Sequence, residues 1–149
     1  MPTRPNLTAA GRLRLANLLG RQRMSVLIHA AGFTDVTLAQ CSLFRFEGPE
    51  GRRPTEIATR AGMSKQAVND SLHHLEAHGY LLRAPHPHDG RARIVRLTDR
   101  GRALQDAIYA AGRQVEREWQ EEIGEPEWGT FSRVLDRLAA AALQLDQEV

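Results

Sequence analysis

Polar side chains of one predicted helix have the chemistry needed to read the edges of nucleic-acid bases. They lie close together near its start: Lys65, Gln66, Asn69 and His73. Lysine can donate to guanine O6 and N7, and asparagine or glutamine can bond adenine N6 and N7 at two points. Ser64, just before them, is expected to cap the helix and to flank the bases. Such a helix fits the major groove of DNA, although an amphipathic helix with a solvated polar face would show the same residues.

A turn-forming segment follows this helix. The segment 85–90 reads PHPHDG and separates two apolar runs, so the sequence predicts a β-hairpin with strands over 80–83 and 94–97. Arg91 and Arg93 come directly after the turn. Arginine pairs with phosphate oxygens at two points and fits a narrow, electronegative minor groove. A solvated hairpin without a nucleic-acid partner is the alternative.

Other polar residues are placed to support these contacts. Asp89, in the turn, is expected to orient one of the two hairpin arginines through an ion pair. Arg53 and Thr55 stand at the start of a short helix whose first turn holds Pro54, and there they could bind phosphates. The base-reading helix is predicted to continue to about His78.

This part of the chain resembles the MarR family of transcription regulators. The segment 89–93, DGRAR, together with 97–101, LTDRG, is similar to the wing signature of that family. Residues 63–64, MS, and 75–81, LEAHGYL, are similar to the start and the exit of its recognition helix. The resemblance is specific over residues 53–104 and looser elsewhere.

The resemblance implies a mainly α-helical fold with a small β-hairpin wing, a winged helix-turn-helix. It implies a single domain, 1–149, with the DNA-binding part over about 35–98 and dimerisation helices over about 8–31 and 99–147. It also implies a homodimer that binds double-stranded DNA at a palindromic operator and regulates transcription, with repression expected. Many members of the family release DNA when a small molecule or an oxidant arrives, so an effector is expected as well.

The flanking segments show the apolar spacing of long helices. One helix is predicted over about 8–31, another over about 98–122, and a last one after the break at 124–126. Their apolar surface exceeds what one compact winged helix needs, so we expect a dimer interface, with packing inside one chain as the alternative. Between about 34 and 47 the apolar pattern fits a strand and a helix alike, and the resemblance favours a helix. The residues 48–51, GPEG, predict a turn after it.

Charge is distributed unevenly along the chain. The 149 residues have a net charge of only +2. Residues 52–102 hold ten Lys or Arg against five Asp or Glu, a net charge of +5, which leaves −3 for the remainder. Five of the six histidines also fall in this stretch. A basic middle between acidic flanks is expected of a DNA-binding module carried on a scaffold that does not touch DNA.

Histidines offer a second chemistry, which is metal binding. His74 and His78 lie four residues apart on the predicted helix and could hold zinc, with two wing histidines nearby and Glu76 or Asp89 as a further ligand. A metal-responsive regulator is therefore kept as an alternative. Histidine beside DNA more often bonds phosphate or water, so neither a resident metal nor another cofactor is expected.

An effector site is implied by the resemblance alone, between the winged helix and the dimer helices. Its lining is guessed to include His29, Phe33, Phe44 and Tyr109, each of which is otherwise a core residue. Cys41 lies among apolar neighbours, which favours a buried core residue over a redox sensor. A single cysteine also excludes an internal disulfide framework and fits a reducing cytosol.

Other classes of protein are disfavoured. The chain has no Gly-x-Ser-x-Gly, phosphate-binding loop or dinucleotide fingerprint, so an enzyme is not expected. No N-terminal apolar run is long enough for a signal peptide or a membrane span, so we expect a cytoplasmic protein with no membrane contact. A winged helix that contacts another protein instead of an operator is kept as the alternative function. RNA binding is disfavoured because the basic surface lacks stacking aromatic residues.

Overall fold

The computed structural model describes residues 7–44 and 51–147. Within these ranges the chain forms α1 (Ala9–Ala30), α2 (Leu38–Cys41), a 3-10 turn (Ser42–Phe44), α3 (Pro54–Ala61), α4 (Lys65–Ala77), β1 (Leu81–His86), β2 (Asp89–Leu97), α5 (Asp99–Ile123) and α6 (Glu125–Gln147). The strands form one antiparallel hairpin, so the expected mainly α-helical fold with a β-hairpin is confirmed. The chain divides into two compact units, Met1–Ala111 and Gly112–Val149, with the boundary inside α5.

The core of the first unit includes one side of α4. Val68, Leu72 and Leu75 are buried, as their spacing of four and three residues predicts. Tyr80, which follows α4, is also fully buried. Other elements add apolar side chains to the same cluster: Ile28, Val36, Leu43, Ile57, Leu81, Val95 and Leu104. Because this stripe turns inward, the polar side of α4 faces solvent.

Local hydrogen bonds set the starts of α3 and α4. Pro54 occupies the first turn of α3, and Glu56 Oε2 accepts from the backbone N–H of Arg53 at 3.1 Å. The hydroxyl of Ser64 accepts from the backbone N–H of Ala67 at 3.2 Å and caps α4. Both starts are as predicted, and α4 ends close to the predicted His78.

In the described part of the segment before α3, residues 34–44, the helix begins later and is shorter than expected. The resemblance favours a helix over about 34–47, but α2 has only four residues and gives way to a 3-10 turn. The reason lies at Thr37, whose hydroxyl accepts from the N–H of Gln40 at 3.2 Å while the Gln40 side chain accepts from the N–H of Thr37 at 2.9 Å. This capping box starts the helix late. Residues 45–50, which include most of the predicted turn, lie outside the described residues.

The hairpin is longer than the sequence predicts. The turn is expected over 85–90, but Pro85 pairs with Arg93 and His86 pairs with Asp89. The turn itself is therefore only two residues long, and the register shifts between Pro85 and His86. Proline is tolerated because, among residues 7–44 and 51–147, β1 pairs only with β2, so the missing N–H of Pro85 disrupts no second ladder.

The flanking helices α1, α5 and α6 are confirmed. The hydroxyl of Thr8 caps α1 by accepting from the N–H of Gly11 at 3.1 Å. In the second unit the ring centroid of Trp128 lies 6.5 Å from that of Trp119 and 5.7 Å from that of Phe131. None of the helices in the described ranges is long and apolar enough to cross a membrane.

A polar network joins the segment before α2 to the end of α4 and the start of α5. The hydroxyl of Tyr80 donates to Asp35 Oδ1, and the Nη2 of Arg100 donates to Asp35 Oδ2 and to the Tyr80 oxygen, each at 3.0 Å. The bond from Tyr80 is the main reason that the pKa of Asp35 lies below its ordinary value, and the charge of Arg100 acts in the same direction. Burial, followed by the bond to Asp35, raises the pKa of Tyr80.

We expect Asp35→Ala to lower the free energy of unfolding by about 1–3 kcal/mol, because the buried Tyr80 hydroxyl then has no acceptor. Urea unfolding of the wild type, Asp35→Ala, Tyr80→Phe and the double variant measures this as a cycle. Since the pKa of Asp35 is lowered in the folded state, the stability it contributes is present above its ordinary value of 3.8 and is lost as the pH falls through the lowered pKa. If Asp35→Ala lowers the free energy of unfolding equally in the wild type and in the Tyr80→Phe variant, this account is contradicted.

Candidate nucleic-acid interface

The solvent side of α4 carries the side chains predicted to read bases. Lys65, Gln66 and His73 are exposed, and Asn69 is half-buried. Ser64 uses its oxygen as the helix cap, so its O–H remains a donor. The structure thus places the five residues together on one helix, turned away from its buried stripe. Their contacts with bases remain a prediction.

The hairpin carries its two arginines near its tip, and Arg91 and Arg93 are both exposed. Arg93 pairs with Pro85, and Arg91 lies in the irregular part of β2 between that pair and the pair of Asp89 with His86. Ile94, on the face of the strand opposite to Arg93, is buried. The wing therefore offers two cations to solvent, as a phosphate or minor-groove contact requires.

Contacts between elements fix the wing relative to α4. The Oε1 of Glu76 in α4 accepts from the backbone N–H of Arg83 in β1 at 3.2 Å, and its Oε2 lies 3.4 Å from the Arg83 Nε. On the other strand, Arg52 and Val95 exchange two backbone hydrogen bonds of 3.0 and 2.8 Å. Gly51 precedes this bridge with a φ of 85°, and a Cβ there would lie 2.5 Å from the Val95 oxygen. Helix α4 and the arginine-bearing hairpin thus belong to one cross-linked unit.

Asp89 has a different partner from the one expected. Within the described residues its Oδ2 lies 3.5 Å from the Nη2 of Arg53, and its Oδ1 accepts from the backbone N–H of Arg91 at 3.2 Å. The expected ion pair with the side chain of Arg91 or Arg93 is therefore wrong, because the extended hairpin brings Asp89 to the start of α3. Asp89 orients Arg53, the residue predicted to hold a phosphate beside the exposed Thr55.

His74 of α4 and His78 just after it form hydrogen bonds within the protein. The Nε2 of His74 is 2.9 Å from the backbone oxygen of Asp35, and the Nδ1 of His78 is 2.8 Å from the backbone oxygen of His74. Their rings stack with centroids 4.0 Å apart. In residues 7–44 and 51–147 no group of three or more His, Cys, Asp or Glu side chains is arranged to hold a metal ion. No observation favours the metal-responsive alternative.

Cys41 is a core residue in this structure. It is 5% exposed and belongs to the buried cluster of the first unit. Burial raises the pKa of its thiol from 9.0 to about 11. A reactive thiol needs a lowered pKa and access to the oxidant, and Cys41 has neither.

Alkylation should show this directly. We expect iodoacetamide to modify Cys41 at least about 100-fold more slowly in the folded protein than in urea at neutral pH, because two units of pKa reduce the thiolate fraction by that factor. Mass spectrometry of the alkylated fraction over time gives both rates. The folded rate should rise with pH towards about 11. Rapid modification of the folded protein at pH 7 would restore the redox-sensor hypothesis.

The four residues predicted to line an effector site differ in exposure and packing. The ring centroids of Phe33 and Phe44 lie 6.2 and 6.3 Å from that of Tyr80, and Phe44 is only 2% exposed. His29 and Tyr109 are exposed. The two phenylalanines thus pack in or against the core, and the role of all four in binding an effector stays a prediction.

Some residues of this surface are not among the predicted DNA contacts. Asp70 is exposed on α4, and the Nε2 of Gln66 donates to its Oδ1 at 3.0 Å. The spacing of four residues on a polar helix face was the signal for this pair. The contacts of Arg52 and Glu76 are made with residues that are distant in sequence or belong to another element, so no local sequence pattern predicts them.

Comparisons with known proteins agree with this geometry. Residues 34–92 match the profile of the MarR family. No curated protein gave a significant match to the chain. A solved structure of MarR is 23% identical and superimposes with a TM-score of 0.81 over 100% of both chains.

Two similar structures come with bound partners. The transcriptional repressor CouR, bound to a 23-mer DNA duplex, is 27% identical, with a TM-score of 0.72 over 89% of this chain and 92% of that one. The Mycobacterium tuberculosis MarR family protein Rv2887, in complex with salicylic acid, is 26% identical, with a TM-score of 0.68 over 90% of this chain and 98% of that one. In complex with DNA, Rv2887 gives 25% identity and a TM-score of 0.70 over 89% and 98%.

The helices α3 and α4, with the arginine-bearing hairpin beside them, define a winged-helix DNA-binding protein. The profile match covers the chain from the segment before α2 into β2, and the whole chain is similar to solved structures of MarR-family proteins. Members of this family are regulators and not enzymes, which confirms the expectation drawn from the sequence.

Proposed function

We propose that this regulator is a repressor that binds a palindromic operator as a homodimer. The observation that carries the proposal is the polar face of α4 held in one unit with the exposed Arg91 and Arg93. In this proposal α4 reads bases in the major groove, while one wing arginine enters the minor groove and the other binds phosphate. Arg53 and Thr55 hold phosphates at the start of α3. The CouR structure, a repressor bound to duplex DNA, supports this function.

The dimer is proposed from apolar side chains that one chain leaves exposed. On α1 these are Leu15, Leu18, Leu19 and Val26, at 43–57% exposure. On α6 they are Val134 and Leu138, at 46% and 56%. Soluble proteins rarely leave such stripes open, so a second copy is the proposed cover. Residues 35–98 then bind DNA, and residues 8–31 and 99–147 form the two-fold interface of one domain.

Sedimentation velocity at micromolar concentration tests the dimer. The wild type should sediment as a dimer, and Leu19→Glu should shift it to a monomer because a charge would enter an apolar interface. Leu82→Glu is the matched control, since Leu82 is similarly exposed at 43% but lies on the hairpin. A monomeric wild type, or an equal shift in both variants, would overturn the proposed interface.

The operator is tested by footprinting the DNA upstream of the protein's own gene. Two protected half-sites should appear about 10–10.5 base pairs apart, since a two-fold dimer presents its recognition helices one DNA turn apart. Random duplex DNA should compete poorly. Equal affinity for both DNAs, with no protected region, would favour the alternative of a winged helix that contacts a protein. A reporter behind the same region should become more active when the gene is deleted, and lower activity would indicate an activator.

We also propose a small-molecule effector and a cytoplasmic location. The complex of Rv2887 with salicylic acid supports the first. His29, Phe33, Phe44 and Tyr109 remain the proposed lining. Salicylic acid is the probe: it should weaken operator binding in a gel shift, and Phe33→Ala should reduce that response. Release by salicylic acid that is equal in Phe33→Ala and the wild type would remove Phe33 from the lining.

A further inference from the structure

An acidic side chain stands in the middle of the surface proposed to enter DNA. Asp70 is exposed and lies opposite the stripe of α4 that Val68, Leu72 and Leu75 bury. Its neighbours on the outward face are Gln66, one turn earlier, and His73. A carboxylate at this place repels phosphate and weakens binding to DNA of any sequence. Its presence beside Gln66 and His73, which are proposed to contact bases, therefore calls for a role in choosing the sequence.

The position of the carboxylate is fixed by its neighbour. The Nε2 of Gln66 donates to Asp70 Oδ1 at 3.0 Å. Asp70 Oδ2 and Gln66 Oε1 remain acceptors at the exposed surface of the helix. A surface with two acceptors and a full negative charge requires a donor on the DNA.

The major groove offers few donors. Cytosine N4 and adenine N6 carry N–H groups, whereas guanine O6 and N7 and thymine O4 are acceptors that a carboxylate repels. At adenine the donor lies beside the N7 acceptor, which also repels a carboxylate. At cytosine the N4 donor has no acceptor of its own base beside it in the groove. Cytosine is therefore the base that best matches Asp70.

We propose that Asp70, braced by Gln66, is a specificity-determining residue that requires cytosine at one position of each half-site. The proposal rests on the proposed function, because it needs α4 to lie in the major groove. Asp70 lowers the affinity for DNA in general and raises the discrimination between sequences. It thus acts opposite to Lys65 and the wing arginines, whose charges favour every sequence.

Selection of bound sequences from random duplex DNA tests whether Asp70 requires cytosine. The selection is carried out with the wild type, with Asp70→Asn and with Asp106→Asn. The wild type should select cytosine at one fixed position in each half-site. Asp70→Asn should lose that preference by about tenfold or more and favour adenine there, because an amide bonds adenine N6 and N7 together. It should also bind random DNA more tightly, since one negative charge is gone. Asp106→Asn, an exposed change of the same charge on α5, should select the wild-type sequences.

The outcomes separate the two proposals. If the wild type selects a site and Asp70→Asn selects the same site with the same cytosine, the role of Asp70 is overturned and the operator function stands. If the wild type selects no sequence at all, the operator function fails and the role of Asp70 fails with it. Asp70 is exposed and its replacement is isosteric, so a wild-type melting temperature is expected and confirms that both variants are folded.

Discussion

Replacing Gly101 with alanine should lower the free energy of unfolding by more than about 3 kcal/mol, because overpacking against backbone cannot relax cheaply. Gly101 is in the first turn of α5 and is buried. A Cβ at this position would lie 1.9 Å from the backbone oxygen of Tyr80. That oxygen also accepts from the backbone N–H of Thr98 at 3.1 Å, so it has little room to move. Glycine here lets α5 begin against the residue that links α4 to the wing.

Thermal and urea unfolding of Gly101→Ala and Gly129→Ala measure this effect with a matched control. Gly129 is also inside a helix, α6, but a Cβ there meets nothing within 4 Å. Gly129→Ala should be neutral or stabilising by up to about 1 kcal/mol, since alanine is the better helix former. Similar stabilities of the two variants would show that the close approach of α5 to Tyr80 does not constrain the fold.

Local signals in the sequence were enough to predict helix α4 and its buried side. Ser64 caps α4 through one short-range bond, and the stripe of Val68, Leu72 and Leu75 is set by helix periodicity alone. The long helices α1, α5 and α6 were predictable for the same reason. The capping box of Thr37 and Gln40 was present in the sequence, but the mixed periodicity of the segment around it concealed the late helix start.

The remaining errors concern contacts between distant residues. The extension of the hairpin through Pro85 depends on its pairing with Arg93, and Asp89 reaches Arg53 only because that pairing continues. The bridge from Arg52 to β2 likewise joins residues more than 40 positions apart. Periodicity describes one segment at a time, so it gives no information about which segments meet. The helices and the hairpin that carry the candidate residues were therefore predictable, and several contacts between those elements were not.

Removing both wing arginines should weaken operator binding at low salt by at least about 100-fold, because each charge-assisted hydrogen bond to DNA contributes on the order of 1.5–3 kcal/mol. The double variant Arg91→Ala, Arg93→Ala should also flatten the salt dependence. The slope of log K against log salt concentration falls by about 0.9 for each phosphate that the protein no longer neutralises. Fluorescence anisotropy with a labelled operator at a series of salt concentrations gives both quantities.

The matched control distinguishes direct binding by the wing from a change in total charge. Arg113→Ala, Arg133→Ala removes the same two charges from exposed positions of α5 and α6. If the wing touches DNA directly, this control keeps nearly the wild-type affinity and slope, whereas the wing variant binds both the operator and random DNA more weakly. Loss of a phosphate contact weakens binding to the two DNAs alike, and loss of an arginine from a narrow minor groove weakens operator binding further, since groove width depends on sequence. Equal effects of the two double variants would mean that Arg91 and Arg93 contribute only through net charge, and that the exposed face of the hairpin lies outside the DNA interface.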